Sequence, residues 1–141
     1  MSLSERIKRY FNVIVRFFQR NNIVVEVRIE KLIIGQKHGY IKLRIILMDG
    51  RVIEIREFID ASLTKIKYAY SFLQRDKIIF RYDNAPHHKE KTSSPHHKHT
   101  SNGKIMATKE PNIFGIKKKS LKPCESNIYR IVLGEFIEMI H

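Results

Sequence analysis

The sequence predicts an α+β fold: a curved antiparallel β-sheet of about five strands, flanked by an N-terminal and a C-terminal helix. Apolar residues recur near every 3.6 positions over residues 4–19 and 126–140, and at every second position over most of residues 23–83. Short turns join the period-two segments, which favours an antiparallel meander over crossover connections. A length of 141 residues, 43% hydrophobic and 29% charged, fits a single domain over residues 1–141 with a core of its own.

In the first element, Ile7, Tyr10, Phe11, Ile14, Phe17 and Phe18 form one helical stripe, and Ser4 is the expected cap. From Ile23 the period becomes two, with Val25, Val27 and Ile29 alternating with Glu26, Arg28 and Glu30 as a half-buried strand. Residues 35–39 then turn, and Ile41, Leu43, Ile45 and Leu47 alternate up to Met48-Asp49-Gly50. A two-residue loop there would set Ile45 opposite Glu54. A three-residue loop, with Gly50 in the left-handed conformation, pairs Ile45 with Ile53 and Leu43 with Ile55, and alone keeps one face apolar. That register also puts Glu57 on the apolar face beside Ile41, where a carboxylate needs a structural or chemical reason. Ile66, Tyr68, Tyr70 and Phe72 make the next alternation, residues 74–77 turn, and Ile78, Phe80 and Tyr82 the last. Residues 84–100 are expected to be a histidine-rich functional loop, and residues 101–124 a long basic loop. Ser126 caps the final helix over residues 126–140.

Lys and Arg number 27 against 14 Asp and Glu, a net charge of +13 that speaks of partners more than of fold. Nucleic acid is the natural counterpart, ahead of an acidic protein or membrane surface; plain solubility is the bland alternative. No apolar run approaches the ~20 residues that span a bilayer, and Arg6, Lys8, Arg9, Arg16 and Arg20 interrupt the N-terminal apolar stretches, unlike a signal peptide. The single cysteine, Cys124, fits a reducing compartment. The expectation is a cytoplasmic protein with no membrane partner.

Five of the seven histidines fall between residues 87 and 99, and the tetrad Pro-His-His-Lys occurs twice, from Pro86 and from Pro95. Imidazole both takes and gives a proton near neutrality and is the commonest metal ligand. Three uses are open. The first is acid–base cleavage of RNA, in which one group deprotonates the 2′-hydroxyl and another protonates the leaving 5′-oxygen. Cations then offset the charge developing on phosphorus. The expected proton-transfer and orienting residues are His97, His99 and His87, with Glu57 or Asp83. Arg81, Lys98, Lys89 and Lys67 are expected to meet phosphate, and Tyr68 and Tyr70 to stack an unpaired base. The second is a divalent-metal site drawn from His87, His97, His99 and Asp83, although the spacing matches no standard structural zinc motif. Adjacent histidines on an extended segment point opposite ways, whereas His97 and His99 share a side. In the third, the histidines are structural and the chain is a non-catalytic nucleic-acid-binding or regulatory protein. No Gly-x-Ser-x-Gly elbow and no phosphate-cradling glycine loop occur. No cofactor is expected unless the site takes a metal.

The run Asp49-Gly50, Glu57, Lys67-Tyr68-Ala69-Tyr70, Phe80-Arg81-Tyr82-Asp83-Asn84-Ala85-Pro86-His87-His88 and Pro95-His96-His97-Lys98-His99 resembles the TumE family. Those are small toxin components of bacterial and archaeal toxin–antitoxin pairs. The resemblance covers roughly residues 40–100, and Glu57, Tyr68, Arg81, Asp83, His87, His97 and His99 fall on its signature. It implies a toxin directed at RNA and neutralised by a cognate antitoxin. The basic stretch from Lys104 to Pro123 is longer than the family pattern, and the first helix and strand match none of it. Two apolar-striped helices leave room for an antitoxin interface or a homodimer.

Overall fold

The computed structural model describes residues 1–85 and 96–114. Helix α1 spans Leu3–Gln19. Its cap is Ser2, two residues earlier than the Ser4 expected. The Ser2 hydroxyl accepts from Glu5 N at 3.2 Å, and the Glu5 carboxylate accepts from Ser2 N at 3.0 Å. This reciprocal capping box satisfies orphan donors at both positions, which a cap at Ser4 would leave open. Ile7, Phe11, Ile14 and Phe18 are the buried stripe of the helix.

Seven strands follow among the described residues: β1 (Val24–Ile34), β2 (His38–Leu47), β3 (Val52–Asp60), β4 (Lys65–Gln74), β5 (Lys77–Asp83), β6 (His97–Thr100) and β7 (Ile105–Ala107). They form one sheet in the order β1 to β7, each antiparallel to its neighbours. The fold is therefore α+β, with a wider sheet than the expected five strands. The additional strands lie where loops were expected: β6 in the histidine window and β7 in the basic stretch. His97-Lys98-His99-Thr100 alternates without an apolar residue, so a hydrophobic period cannot reveal it. The expected C-terminal helix over residues 126–140 lies outside the described residues.

The β2–β3 hairpin has the register deduced from its apolar pattern. Ile45 faces Ile53, Leu43 faces Ile55 and Ile41 faces Glu57, with Gly50 at φ +84° in the loop. The β4–β5 turn places two non-glycine residues in the left-handed region, Arg75 at φ 51° and Asp76 at φ 62°. This is the backbone of a tight type I′ hairpin, whose twist matches that of the flanking strands. Asp60 closes the β3–β4 turn by accepting from the Ser62 hydroxyl at 2.6 Å and from Thr64 N at 3.0 Å, and these bonds hold its carboxyl below the usual range.

Helix α1 lies against one face of the sheet, where Gly39 lets it approach: a Cβ there would run into the Ile7 side chain. On this face pack Ile41, Leu43, Ile45, Ile53, Ile55, Ile59, Tyr70 and Phe72. Ile113, beyond β7, returns to the same core, and Phe114 meets the Phe17 ring edge-on at 4.8 Å. The edge strand β1 departs from the expected half-buried alternation. Its register shifts between Val24 and Glu26 and between Ile29 and Lys31, and Val25 and Ile29 are exposed. Bulges of this kind break a flat alternation and are common at sheet edges. No helix among the described residues is long and apolar enough to cross a membrane.

Candidate functional site

Pairing of β5 with β6 sets Asp83 opposite His97 and Arg81 opposite His99. Residues two apart on a strand share a face, so all four side chains lie on the sheet face opposite α1. Asp83 is their centre, its side chain 3% exposed. Its Oδ2 accepts from Arg81 Nε at 3.0 Å and lies 3.1 Å from His99 Nε2. Its Oδ1 accepts from Ala85 N at 3.2 Å and lies 4.0 Å from His97 Nδ1. The side chain of His97 is fully buried, whereas those of His99 and Arg81 are 24% and 37% exposed. As placed, His99 and Arg81 are the members of the group that a bound molecule can reach. Asp83 accepts a hydrogen bond from Arg81 and lies within ion-pair distance of His99, so one buried carboxylate faces both a guanidinium and an imidazole.

Beside the cluster, on the same face, runs a cleft of about 730 Å³ lined by Tyr40, Arg56, Phe58, Lys67, Arg81 and Asp83 among others. Of the expected phosphate contacts, Arg81 and Lys67 are here. Lys98 is not: it alternates to the α1 face, where its Nζ sits 5.2 Å from the Phe80 ring centre and 5.4 Å from that of Tyr82. His87 and Lys89 lie outside the described residues.

Glu57 is separated from the cluster by the sheet. It is fully buried under α1, accepting from the Tyr10 hydroxyl at 2.7 Å and from the Tyr70 hydroxyl. Burial raises its carboxyl above the usual range, against the lowering effect of the two phenols and of Lys65. Both phenols are pushed up in turn, by burial first and then by the Glu57 charge. Lys65 completes the group, donating to Pro111 O at 2.7 Å with its ammonium 5.0 Å from the Tyr70 ring centre; burial lowers its pKa. Glu57 therefore cannot orient His97 or His99. Nor do Tyr68 and Tyr70 fit the stacking role expected of them, since they are 3% and 0% exposed on the core face. The Tyr68 hydroxyl is instead 2.8 Å from His96 Nδ1, with the two rings stacked.

Sequence reasoning did not single out Tyr10, Lys65, Tyr40, Phe58 or Arg56. Nothing in the pattern links Tyr10 to Glu57 across 47 positions. Tyr40 and Phe58, however, face each other in the same register that pairs Ile45 with Ile53. Extending the hairpin argument by three residue pairs beyond Leu43–Ile55 would have found them, on the opposite face. For the metal alternative, no three His, Cys, Asp or Glu side chains among the described residues are grouped to hold an ion.

An α+β protein with an antiparallel meander, and a buried Asp shared by His and Arg beside a cationic cleft, is the class that fold and site define. The family model described as toxin TumE matches residues 14–120, from the middle of α1 through β7, and the chain belongs to this toxin family. Membership implies a cognate antitoxin as partner. No curated protein and no solved structure matches the chain.

Proposed function

We propose that this toxin-family protein cleaves RNA by acid–base chemistry centred on His99. The observation that carries the reading is the shared carboxylate: Asp83 Oδ2 holds Arg81 Nε at 3.0 Å and His99 Nε2 at 3.1 Å at the wall of a cationic cleft. His99 takes the proton of the 2′-hydroxyl, O2′ bonds to phosphorus and the P–O5′ bond breaks, leaving a 2′,3′-cyclic phosphate. The departing 5′-oxygen needs a proton from a second group, and His87 is assigned to it on the sequence alone. Arg81 and Lys67 bind the phosphate, Asp83 orients the imidazole, and His97 packs beside Asp83 as a positioning residue. The net charge of +13 draws the polyanion in. The site of action is cytoplasmic, where the antitoxin restrains it.

Incubation with a mixed RNA pool, with and without EDTA, tests this beside His99→Ala and Asp83→Asn. Cleavage that survives EDTA and falls by at least ~10²-fold in His99→Ala is expected. Cleavage lost to EDTA would move the histidines into a metal site. Intact RNA under every condition, with binding retained, would make the protein a non-catalytic RNA-binding toxin.

A further inference from the structure

Tyr40 and Phe58 are direct cross-strand partners on β2 and β3, and Phe58 is in turn opposite Lys67 on β4. Alternation puts all three on the face opposite α1, in the wall of the 730 Å³ cleft. Among the described residues, neither half-buried ring belongs to the hydrophobic core, which lies on the other face of the sheet. Their neighbours are cationic. Arg56 and Lys67 are exposed and form no ion pair among the described residues, and Arg81 closes the far wall. The Phe58 ring also already carries a flat heterocycle: the exposed His38 imidazole lies 5.4 Å away at 17° to it.

Resting on the reading of the neighbouring cluster as RNA-directed, we propose that the Tyr40–Phe58 pair is a stacking platform for an unpaired base and makes single-stranded RNA the ligand. Half-buried rings, Phe58 already stacked on an imidazole and Tyr40 under the Lys31 ammonium, share one cleft with Arg56 and Lys67, which form no ion pair among the described residues. These match the two things a single strand offers together, a base face and a phosphate. A duplex offers the phosphates but keeps its base faces inside the stack. An acidic peptide satisfies the cations but leaves the rings without use. Two strand spacings separate β3 from β5, so a base on Phe58 lies on the order of 10 Å from Asp83. One short strand reaches both. The platform takes the role that the burial of Tyr68 and Tyr70 denies them, and the substrate class follows from it: loops, ends and unpaired stretches rather than helices.

The chain contains no tryptophan, so Phe58→Trp supplies a single tryptophan emitter at the platform, excited apart from the tyrosines. Oligonucleotides of 2′-O-methyl RNA lack the attacking hydroxyl and remain intact. Titration with a 2′-O-methyl oligoadenosine is expected to quench this emission saturably, while the same strand annealed to its oligouridine complement does not. By anisotropy of a labelled strand, Phe58→Ala and Tyr40→Ala should each weaken single-strand binding about 5- to 100-fold and leave duplex binding within twofold. Equal quenching by duplex or by polyglutamate overturns the platform, as does single-strand binding that both alanine variants leave unchanged. Cleavage of RNA by the wild type with unaltered platform variants would discard the platform and keep the proposed activity. Single-strand selectivity lost in those variants, in a protein that cuts no RNA, would keep the platform and discard the activity.

Discussion

Replacing Glu57 by Gln probes the polar group under α1, and the sign of its effect follows from burial. Glu57 is fully buried, and burial outweighs the opposing influence of the Tyr70 and Tyr10 hydroxyls and of Lys65, so its carboxyl titrates above the usual range. The folded chain then holds the Glu57 proton more tightly than the unfolded chain, whose carboxyl has a pKa of about 4.3. Stability from this group is complete below that value and is lost as pH rises through the folded pKa. Glutamine has no such dependence. The stability of Glu57→Gln relative to wild type should therefore increase with pH. The total change is about 1.4 kcal/mol for each unit by which the pKa is raised, and the slope never exceeds about 1.4 kcal/mol per pH unit.

Urea unfolding followed by far-UV circular dichroism at intervals from pH 4.5 to 7.5 measures the difference directly. Tyr10→Phe tests the same group from the other side. It removes the 2.7 Å donor to Oε1. The loss should be about 2 kcal/mol where Glu57 is ionised and about 1 kcal/mol where it is protonated, because hydrogen bonds to charged acceptors are the stronger. A flat difference between Glu57→Gln and wild type, or one that shrinks as pH rises, would refute the reasoning. Phenols and Lys65 would then dominate burial, and Glu57 would be a stabilising carboxylate.

Gly39→Ala drives a methyl into Ile7 and brings it to 3.0 Å from Phe11 Cε2, so α1 must shift; a loss of about 1–3 kcal/mol in urea unfolding is expected. The β4–β5 turn offers a gain instead: Arg75→Asn with Asp76→Gly suits two residues at φ 51° and 62° and should raise stability by about 1 kcal/mol. Asp83→Ala strands Ala85 N and leaves Arg81 and His99 without their shared oxygen. It should cost about 2–3 kcal/mol, whereas Asp83→Asn, which keeps an acceptor for Ala85 N, should cost less by the same assay.

Apolar spacing carried much of this fold because α1 and strands β2 to β4 each bury one continuous stripe. The odd-length loop at Asp49-Gly50 was legible for the same reason, since any even loop buries Glu54 and Arg56. What spacing could not show was β6, whose residues are polar on both sides, or the two bulges that undo the alternation of β1. The cap was misplaced by two residues because Ser2 and Ser4 are equal as cap types, and only Glu5 decides between them. For the site, strand alternation put His97 and His99 on one side, and the acid–base reading grouped them with Asp83 and Arg81. The same alternation turns Lys98 away from them and leaves Glu57 on the apolar face; what it could not show was the β5–β6 pairing that brings His97 and His99 to Asp83 and Arg81.

The same alternation gives the adjacent His96 and His97 different roles. In an extended strand adjacent side chains leave by opposite faces. His96, immediately before β6, turns to the core side, where its Nδ1 meets the Tyr68 hydroxyl at 2.8 Å. Burial pushes the Tyr68 phenol up, so it keeps its proton and can donate it to that nitrogen. His97, one residue on, turns to the other face, against Asp83, and His99 follows it there. The first imidazole thus ties the start of β6 to the core, next to the β5–β6 pairing that sets His97 opposite Asp83 and His99 opposite Arg81. One histidine of the pair belongs to the fold and its neighbour to the cluster. A substitution at His96 therefore reaches the cluster through the start of β6, while one at His99 acts on it directly.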